Sequence, residues 1–116
     1  MIVSKKLSFD AAHFLPNYEG KCKDVHGHTW KVEVACSGDL REDTGMVVDF
    51  KELKKFLEWV EDRFDHKLLN DFIKNPTAEN ISKYIFDEFN LWCVGKGLEP
   101  MIKEKYKIEE FELNIE

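Results

Sequence analysis

The chain has no apolar run near the ~18 residues of a membrane span, and its opening, Met1-Ile-Val-Ser-Lys-Lys6, is too short in its apolar part for a secretory signal. Cysteine is scarce. Cys22, Cys36 and Cys93 are an odd, scattered set with no CxxC pair, which excludes a disulfide framework and points to a reducing compartment, the cytoplasm by default. Basic residues are outnumbered, 17 Lys and Arg against 23 Asp and Glu, for a net charge of −6. That balance argues against nucleic acid or an anionic membrane as the main partner. A small anionic substrate stays compatible: Lys5, Lys6, Lys21 and Lys23 could gather in one cleft, or they could be solvated strand edges and loops. No internal repeat or low-complexity tract is present, and 116 residues make one domain, 1–116. A chain of this size buries only about two thirds of its unfolded surface, so oligomerisation would help it.

Histidine is also scarce, and its placement is informative. There are four: His13, His26, His28 and His66. In the stretch Cys22-Lys-Asp-Val-His26-Gly27-His28-Thr29-Trp30, residues two apart share a face if a strand begins there. His26 and His28 then project side by side, and Gly27 between them lets backbone or ligand come close. His13 ends an alternating run from Leu7, on the same face as Phe9 and Ala11. Antiparallel pairing of 7–13 with 26–36 would bring His13 against the pair. Three neutral imidazoles with an open fourth position are the donor set of a catalytic zinc. Unpaired, the same residues would be surface or loop histidines.

The rest of the chain reads as a small α+β domain. Residues 2–13 form a strand, 14–25 a loop carrying Cys22, and 26–37 a second strand with Trp30, Val32, Val34 and Cys36 on one face. Gly38-Asp39 and Asp43-Thr44-Gly45 are turn chemistry. Asp49 caps a helix, with Glu52 completing a capping-box pattern, and Phe50, Leu53, Leu57, Val60 and Phe64 form its buried stripe. That helix stops near Asp65-His66. Thr77 caps a second helix, with Glu79 in its first turn, carrying Ile81, Tyr84, Ile85, Phe89 and Trp92 inward and ending at Gly95 and Gly97. Residues 98–105 read as a polar connector. Phe111, Leu113 and Ile115 alternate in a last strand, with Tyr106 and Ile108 out of phase and a bulge near Glu109-Glu110. The order is β-β-α-α-β, an antiparallel sheet covered on one face by two helices.

Two further features carry chemistry. His66 closes the first helix, whose negative end favours an imidazolium, and Asp65 can favour that form further or fix the ring's tautomer. The bland alternative is a helix-terminal pair that satisfies the last carbonyls. Cys22 is either an incidental loop thiol or a thiol activated by a metal and an imidazole, since a free cysteine titrates at about 8.5. Taken together, the residues suggest zinc on His13, His26 and His28, Cys22 beside it, and Asp65 with His66 poised to act on the thiol or the substrate.

The ordered set Phe9-Asp10-Ala11-Ala12-His13, Cys22-x3-His26-Gly27-His28, Gly45-Met46-Val47-Val48-Asp49-Phe50, Asp65-His66-x2-Leu69-Asn70 and Pro76-Thr77-Ala78-Glu79-Asn80 closely resembles the 6-pyruvoyl-tetrahydropterin synthase / 6-carboxy-tetrahydropterin synthase family over most of the chain. The resemblance implies a T-fold subunit that assembles as trimers with a twelve-stranded barrel, two trimers forming a hexamer with active sites between subunits. It implies a Zn2+ enzyme, a lyase acting on 7,8-dihydroneopterin triphosphate, with zinc holding the propyl hydroxyls. Cys22 would be the base, and Asp65 and His66, from another subunit, would assist proton transfer. The three-residue gap between Cys22 and His26 resembles the carboxy branch, which releases triphosphate and acetaldehyde and leads to the deazaguanine nucleosides of transfer RNA, queuosine and archaeosine; the pyruvoyl branch has a longer gap. In the family a glutamate near the end of a C-terminal strand accepts two hydrogen bonds from the pterin. Glu116 matches it, with Glu112 as fallback, and by this resemblance the family's usual last strand would be missing beyond it. Thr77 and Ala78 would line the pterin pocket, or serve only as a helix cap. Two rivals remain: a cysteine hydrolase using Cys22, His66 and Asp65, which leaves three histidines without purpose, and a non-catalytic zinc- or pterin-binding module.

Overall fold

Alternation in the first third of the chain builds a long two-stranded ladder. The structure, a computed structural model, describes residues 1–100 and 111–115. β1 spans Ile2–His13 and β2 His26–Ser37. They pair antiparallel along their whole length, from Ile2 opposite Ser37 to His13 opposite His26. The expected inward set on β2 is fully buried: Trp30, Val32, Val34 and Cys36 are each 0% exposed. Phe9 and Ala11 of β1 join them.

Two helices cover that face. α1, Phe50–Phe64, contributes Leu53, Leu57, Val60 and Phe64; α2, Ala78–Val94, contributes Ile81, Ile85, Phe89 and Cys93; all lie in one core cluster with the strands. Each such side chain withdrawn from water contributes roughly 1.5–3 kcal/mol. The rings of Phe9 and Phe64 stack at 5.8 Å, joining β1 to the last turn of α1. This is the expected α+β arrangement of an antiparallel sheet with two helices on one face.

Several local expectations are corrected. Phe50, assigned to the buried stripe, is 55% exposed, with the Lys5 ammonium 5.8 Å from its ring centre. At the first helical position the side chain lies at the end of the stripe, beyond the sheet's cover, whereas Phe56, further along the helix, lies in the core at 5% exposure. Asp49 does cap α1, accepting from the Lys51 N–H at 2.9 Å, but the reciprocal half of the capping box is not made. Glu52 gives its carboxylate to Lys55 and Lys96, each at 3.2 Å. The lysine cluster does not assemble within one chain: Lys5 and Lys6 lie early on β1, whereas Lys21 and Lys23 sit beyond its far end, roughly 25 Å away at ~3.3 Å per residue. Of the two glycines ending α2, Gly97 takes the positive φ of 68° that favours glycine, and Gly95 is helical.

Pairing on the other edge of β2 starts earlier than the connector reading allowed. A short β3, Glu99–Pro100, pairs with Cys36 and Ser37, and β4, Phe111–Ile115, follows along the same edge opposite Trp30–Val34. Tyr106, Ile108 and the bulge expected at Glu109-Glu110 lie outside the described residues. Among the described residues no helix is long and apolar enough to cross a membrane.

Candidate metal centre and proton-transfer pair

The register of β1 on β2 fixes the histidines. His13 is the direct partner of His26, and Ala11 is that of His28, so the three imidazoles emerge on one face at one end of the ladder. Their ring centres lie 4.5, 4.8 and 5.2 Å apart, and one ligating nitrogen from each falls within 4.8 Å of the others. Trp30, two residues beyond His28 and 0% exposed, backs the group: its ring meets those of His13 and His28 edge-on at 5.1 and 5.4 Å. The indole N–H donates to the Ala11 carbonyl at 3.1 Å, holding that wall in place.

Two backbone carbonyls set the tautomers. His13 Nδ1–H donates to Pro76 O at 2.8 Å, and His26 Nδ1–H donates to Asp24 O at 2.8 Å. A ring whose Nδ1 holds the proton presents a lone pair at Nε2. The two Nε2 atoms face each other at 3.0 Å. Burial holds the His13 pKa below its usual value, assisted by the neighbouring His26 and His28 against an opposing pull from Pro76. The neutral ligand form is therefore favoured. Two Nε2 lone pairs that converge in this way, on His13 and His26 rings each turned by a backbone carbonyl through Nδ1, match the donors and supporting shell that a divalent metal would need. Nitrogens bonded tetrahedrally to one ion at ~2.0–2.1 Å sit about 3.3 Å apart, so only small ring movements separate this set from a closed one.

Pro76 and Asn70 are working residues that residue patterns alone did not assign a role. The Pro76 carbonyl precedes the Thr77 cap of α2, so the start of that helix also orients His13. Asn70 clamps the chain just past His13, accepting from the Phe14 N–H at 3.0 Å and donating to the Phe14 carbonyl at 2.9 Å.

A second cluster lies at the edge of β1 away from β2. Asp65 caps the C-terminus of α1, and His66 follows at φ 58°. Asp65 Oδ2 accepts from His66 Nδ1–H at 2.8 Å, while Oδ1 accepts from the Asp10 N–H at 2.9 Å. The Asp10 amide, then His66, holds the Asp65 carboxyl below the usual carboxylate range. The hydrogen bond that His66 donates to Asp65, reinforced by the carboxylate's charge, raises His66 above the ordinary histidine value. His66 is 78% exposed, so its Nε2 is free to meet an incoming group. The expected pair is therefore formed, and its carboxylate reaches the backbone of β1 as well as the ring.

Cys22 belongs to neither cluster among the described residues. It sits half-buried in a single 3-10 turn, Lys21–Lys23, four residues before His26, with its carbonyl accepting from the Leu15 N–H at 2.8 Å. Cys36 is a core residue, as its place on the inward face of β2 predicts, and so is Cys93. An open cleft of about 850 Å³ is bordered by Asp10, Gly27, His28, Thr29, His66 and Lys67, and so touches both clusters. Thr77 spends its hydroxyl capping α2, accepting from the Asn80 N–H at 3.1 Å, and Ala78 is the first residue of that helix. Glu116 lies outside the described residues; Glu112 stands opposite Glu33 in the β2–β4 ladder.

A family model of 6-pyruvoyl tetrahydropterin synthase matches residues 2–108. A protein of Archaeoglobus fulgidus, provisionally named 6-carboxy-5,6,7,8-tetrahydropterin synthase, is 50% identical over 88 residues, covering 76% of this chain and 75% of its own. The 6-carboxy-5,6,7,8-tetrahydropterin synthase of a Synechocystis strain is 42% identical over 92 residues (73% and 71%). The dihydroneopterin monophosphate aldolase of Pyrococcus furiosus is 41% identical over 80 residues (69% and 67%). Among solved structures, Caenorhabditis elegans 6-pyruvoyl tetrahydropterin synthase superposes with a TM-score of 0.74 at 23% identity, covering 100% of this chain and 95% of that one, and so shares the T-fold. The ladder, the two covering helices and the sequence match together show that this chain belongs to the 6-pyruvoyl tetrahydropterin synthase family.

Proposed function

We propose that this protein is a zinc-dependent lyase converting 7,8-dihydroneopterin triphosphate and one water to 6-carboxy-5,6,7,8-tetrahydropterin, triphosphate and acetaldehyde. The observation that carries the reading is the convergence of the His13 and His26 Nε2 lone pairs at 3.0 Å, each ring turned there by a backbone carbonyl. His13, His26 and His28 would hold the ion. Bound there with an open position, it would supply Lewis acidity toward a substrate hydroxyl.

The chain's own residues do the proton work. Cys22, on the loop entering His26, takes a proton from the substrate's side chain as thiolate. His66 carries a proton at Nε2, while Asp65 holds Nδ1–H and keeps the ring in one orientation. Thr77 and Ala78 border the pterin, and Glu116 accepts from its guanidine-like edge. In the family resemblance the acid–base pair comes from a neighbouring copy in a hexamer of two trimers. The high exposure of His66 suits that role. Mixing Cys22→Ala and His66→Ala chains tests it: restored activity means the pair works across a subunit boundary.

The carboxy product is favoured by the three-residue gap before His26 and by the names of the two relatives above. Such a product would feed the deazaguanine nucleosides of transfer RNA, in a cytoplasmic enzyme. The 41% identity to the aldolase supports a second reading, in which the side chain of a dihydroneopterin monophosphate is cleaved. The deciding experiment is mass spectrometry of products from dihydroneopterin triphosphate and monophosphate, with and without a chelator. The reading requires 6-carboxytetrahydropterin from the triphosphate, lost with chelator. A 6-pyruvoyl product would move the chain to the other branch. No turnover of either substrate by zinc-loaded protein would leave a binding module.

A further inference from the structure

The side chain of Asp10, the acidic residue of the Phe9-Asp10-Ala11-Ala12-His13 run, has no part in the chemistry described so far, yet the residue lies against both members of the second cluster. We propose that Asp10, itself held by Thr29, is the positioning residue for the Asp65–His66 pair. This deepens the function proposed above and rests on it.

Three features of the structure converge. The ladder makes Asp10 and Thr29 direct partners on the face opposite the histidine trio, and the Thr29 hydroxyl donates to Asp10 Oδ1 at 2.6 Å. The main chain of Asp10 brackets the turn after α1: its N–H donates to Asp65 Oδ1 at 2.9 Å, and its carbonyl accepts from the His66 N–H at 2.6 Å. Ala12 N–H donates to Lys67 O at 3.0 Å one step further on, so residues 65–68 run along the β1 edge as a short parallel addition. The carboxylates of Asp10 and Asp65 and a ring nitrogen of His66 then all lie within 4.8 Å of one another.

His66 is the single non-glycine residue with positive φ among the described residues. Such a conformation persists where surrounding bonds over-determine it. Here hydrogen bonds on both sides of Asp10 do so. Aspartate is disfavoured in strands, and an exposed aspartate–threonine bond adds little to the sheet. The residue therefore makes more sense as a fixed negative charge beside the imidazole. The charged groups around His66 are Asp65, bonded to Nδ1; Asp10, from β1; and Lys67, whose ammonium is turned to the Asp62 carbonyl. His28 borders the same cleft from β2. Asp10 thus holds the turn with its backbone and biases His66 toward the imidazolium with its side chain.

The test uses the full-length, zinc-loaded protein. Asp10→Asn keeps the backbone bonds and the size but removes the charge. Expected are a kcat on dihydroneopterin triphosphate lowered roughly 10- to 100-fold, KM within about twofold and unchanged zinc content. The NMR titration of the His66 ring should move to lower pH. Thr29→Val, which frees the Asp10 carboxylate, should move both readouts the same way, and Thr29→Ser should restore them; this pair serves also if Asp10→Asn fails to fold. An unmoved His66 titration in both variants overturns the proposal, and so does a moved titration with unchanged kcat. The NMR arm reads the Asp10–His66 coupling whether or not turnover is seen. Failure of the catalytic assignment itself is a separate result, intact turnover in His66→Ala.

Discussion

Replacing Trp30 by phenylalanine tests how the histidine trio is supported. The indole is 0% exposed, donates to the Ala11 carbonyl at 3.1 Å, and meets the His13 and His28 rings edge-on. Phenylalanine keeps a ring but loses the N–H and about 40 Å³, worth ~1 kcal/mol at ~24 cal/mol per Å³ of cavity. The Ala11 carbonyl, left without its donor in a buried place, adds roughly 1–2 kcal/mol. The sum is about 2–3 kcal/mol, or roughly 10–15 °C in Tm for a domain of this size. Melting should be followed on metal-free protein at fixed concentration, because metal and subunit binding both shift Tm. A second readout is zinc affinity by competition with a chromophoric chelator, which should weaken about tenfold, as for other supporting-residue changes around metal ligands. A metal-free Tm within about 2 °C of the parent refutes the packing argument. A large Tm loss with unchanged zinc affinity would mean that the trio is positioned without the indole, with the Pro76 and Asp24 carbonyls holding His13 and His26.

Cys22→Ala should keep full zinc content, because the thiol lies outside the histidine group, while turnover falls at least ~100-fold; retained turnover removes Cys22 from the chemistry. The Asp65–His66 ion pair has a defined pH window. The folded His66 value is raised, so its contribution is fully present below the unfolded value of about 6.5 and is lost as pH rises through the folded value; that of Asp65 is lowered, so its contribution is lost as pH falls through its folded value, below about 3.9. Both groups face solvent, so thermal stability should stay nearly flat across neutral pH, whereas the alkaline limb of kcat should disappear in His66→Gln; an unchanged limb assigns it elsewhere. Phe64→Ala should cost ~3–5 kcal/mol and Phe50→Ser less than ~1 kcal/mol by denaturant titration, and equal losses would contradict the exposure of Phe50.

The parts of this fold written in short-range pattern were legible from residues alone. Strict alternation gave both long strands, and Asp49 and Thr77 marked the helix starts because capping is a local bond. His13, His26 and His28 followed from pairing two alternating runs. That same pairing, carried three residues further, sets Asp10 opposite Thr29, but an outward aspartate in a strand reads as solvated until the turn at Asp65-His66 folds back onto the β1 edge. The Pro76 and Asp24 carbonyls left no signal, since any residue carries a carbonyl and only tertiary docking aims one at a ring. Phe50 was misread because helical periodicity gives a direction around the axis and says nothing of where the sheet's cover ends along it.

X-ray absorption at the zinc edge, on the parent protein and on His26→Ala loaded in parallel, tests the metal centre most directly. The expected result is a first shell of three imidazole nitrogens plus a light atom at ~2.0–2.1 Å, with no sulfur, and loss of stoichiometric zinc in His26→Ala. A Zn–S distance of ~2.3 Å would contradict the account, because Cys22 would then be a ligand and not a base, and stoichiometric zinc in His26→Ala would put the ion somewhere other than between these three rings.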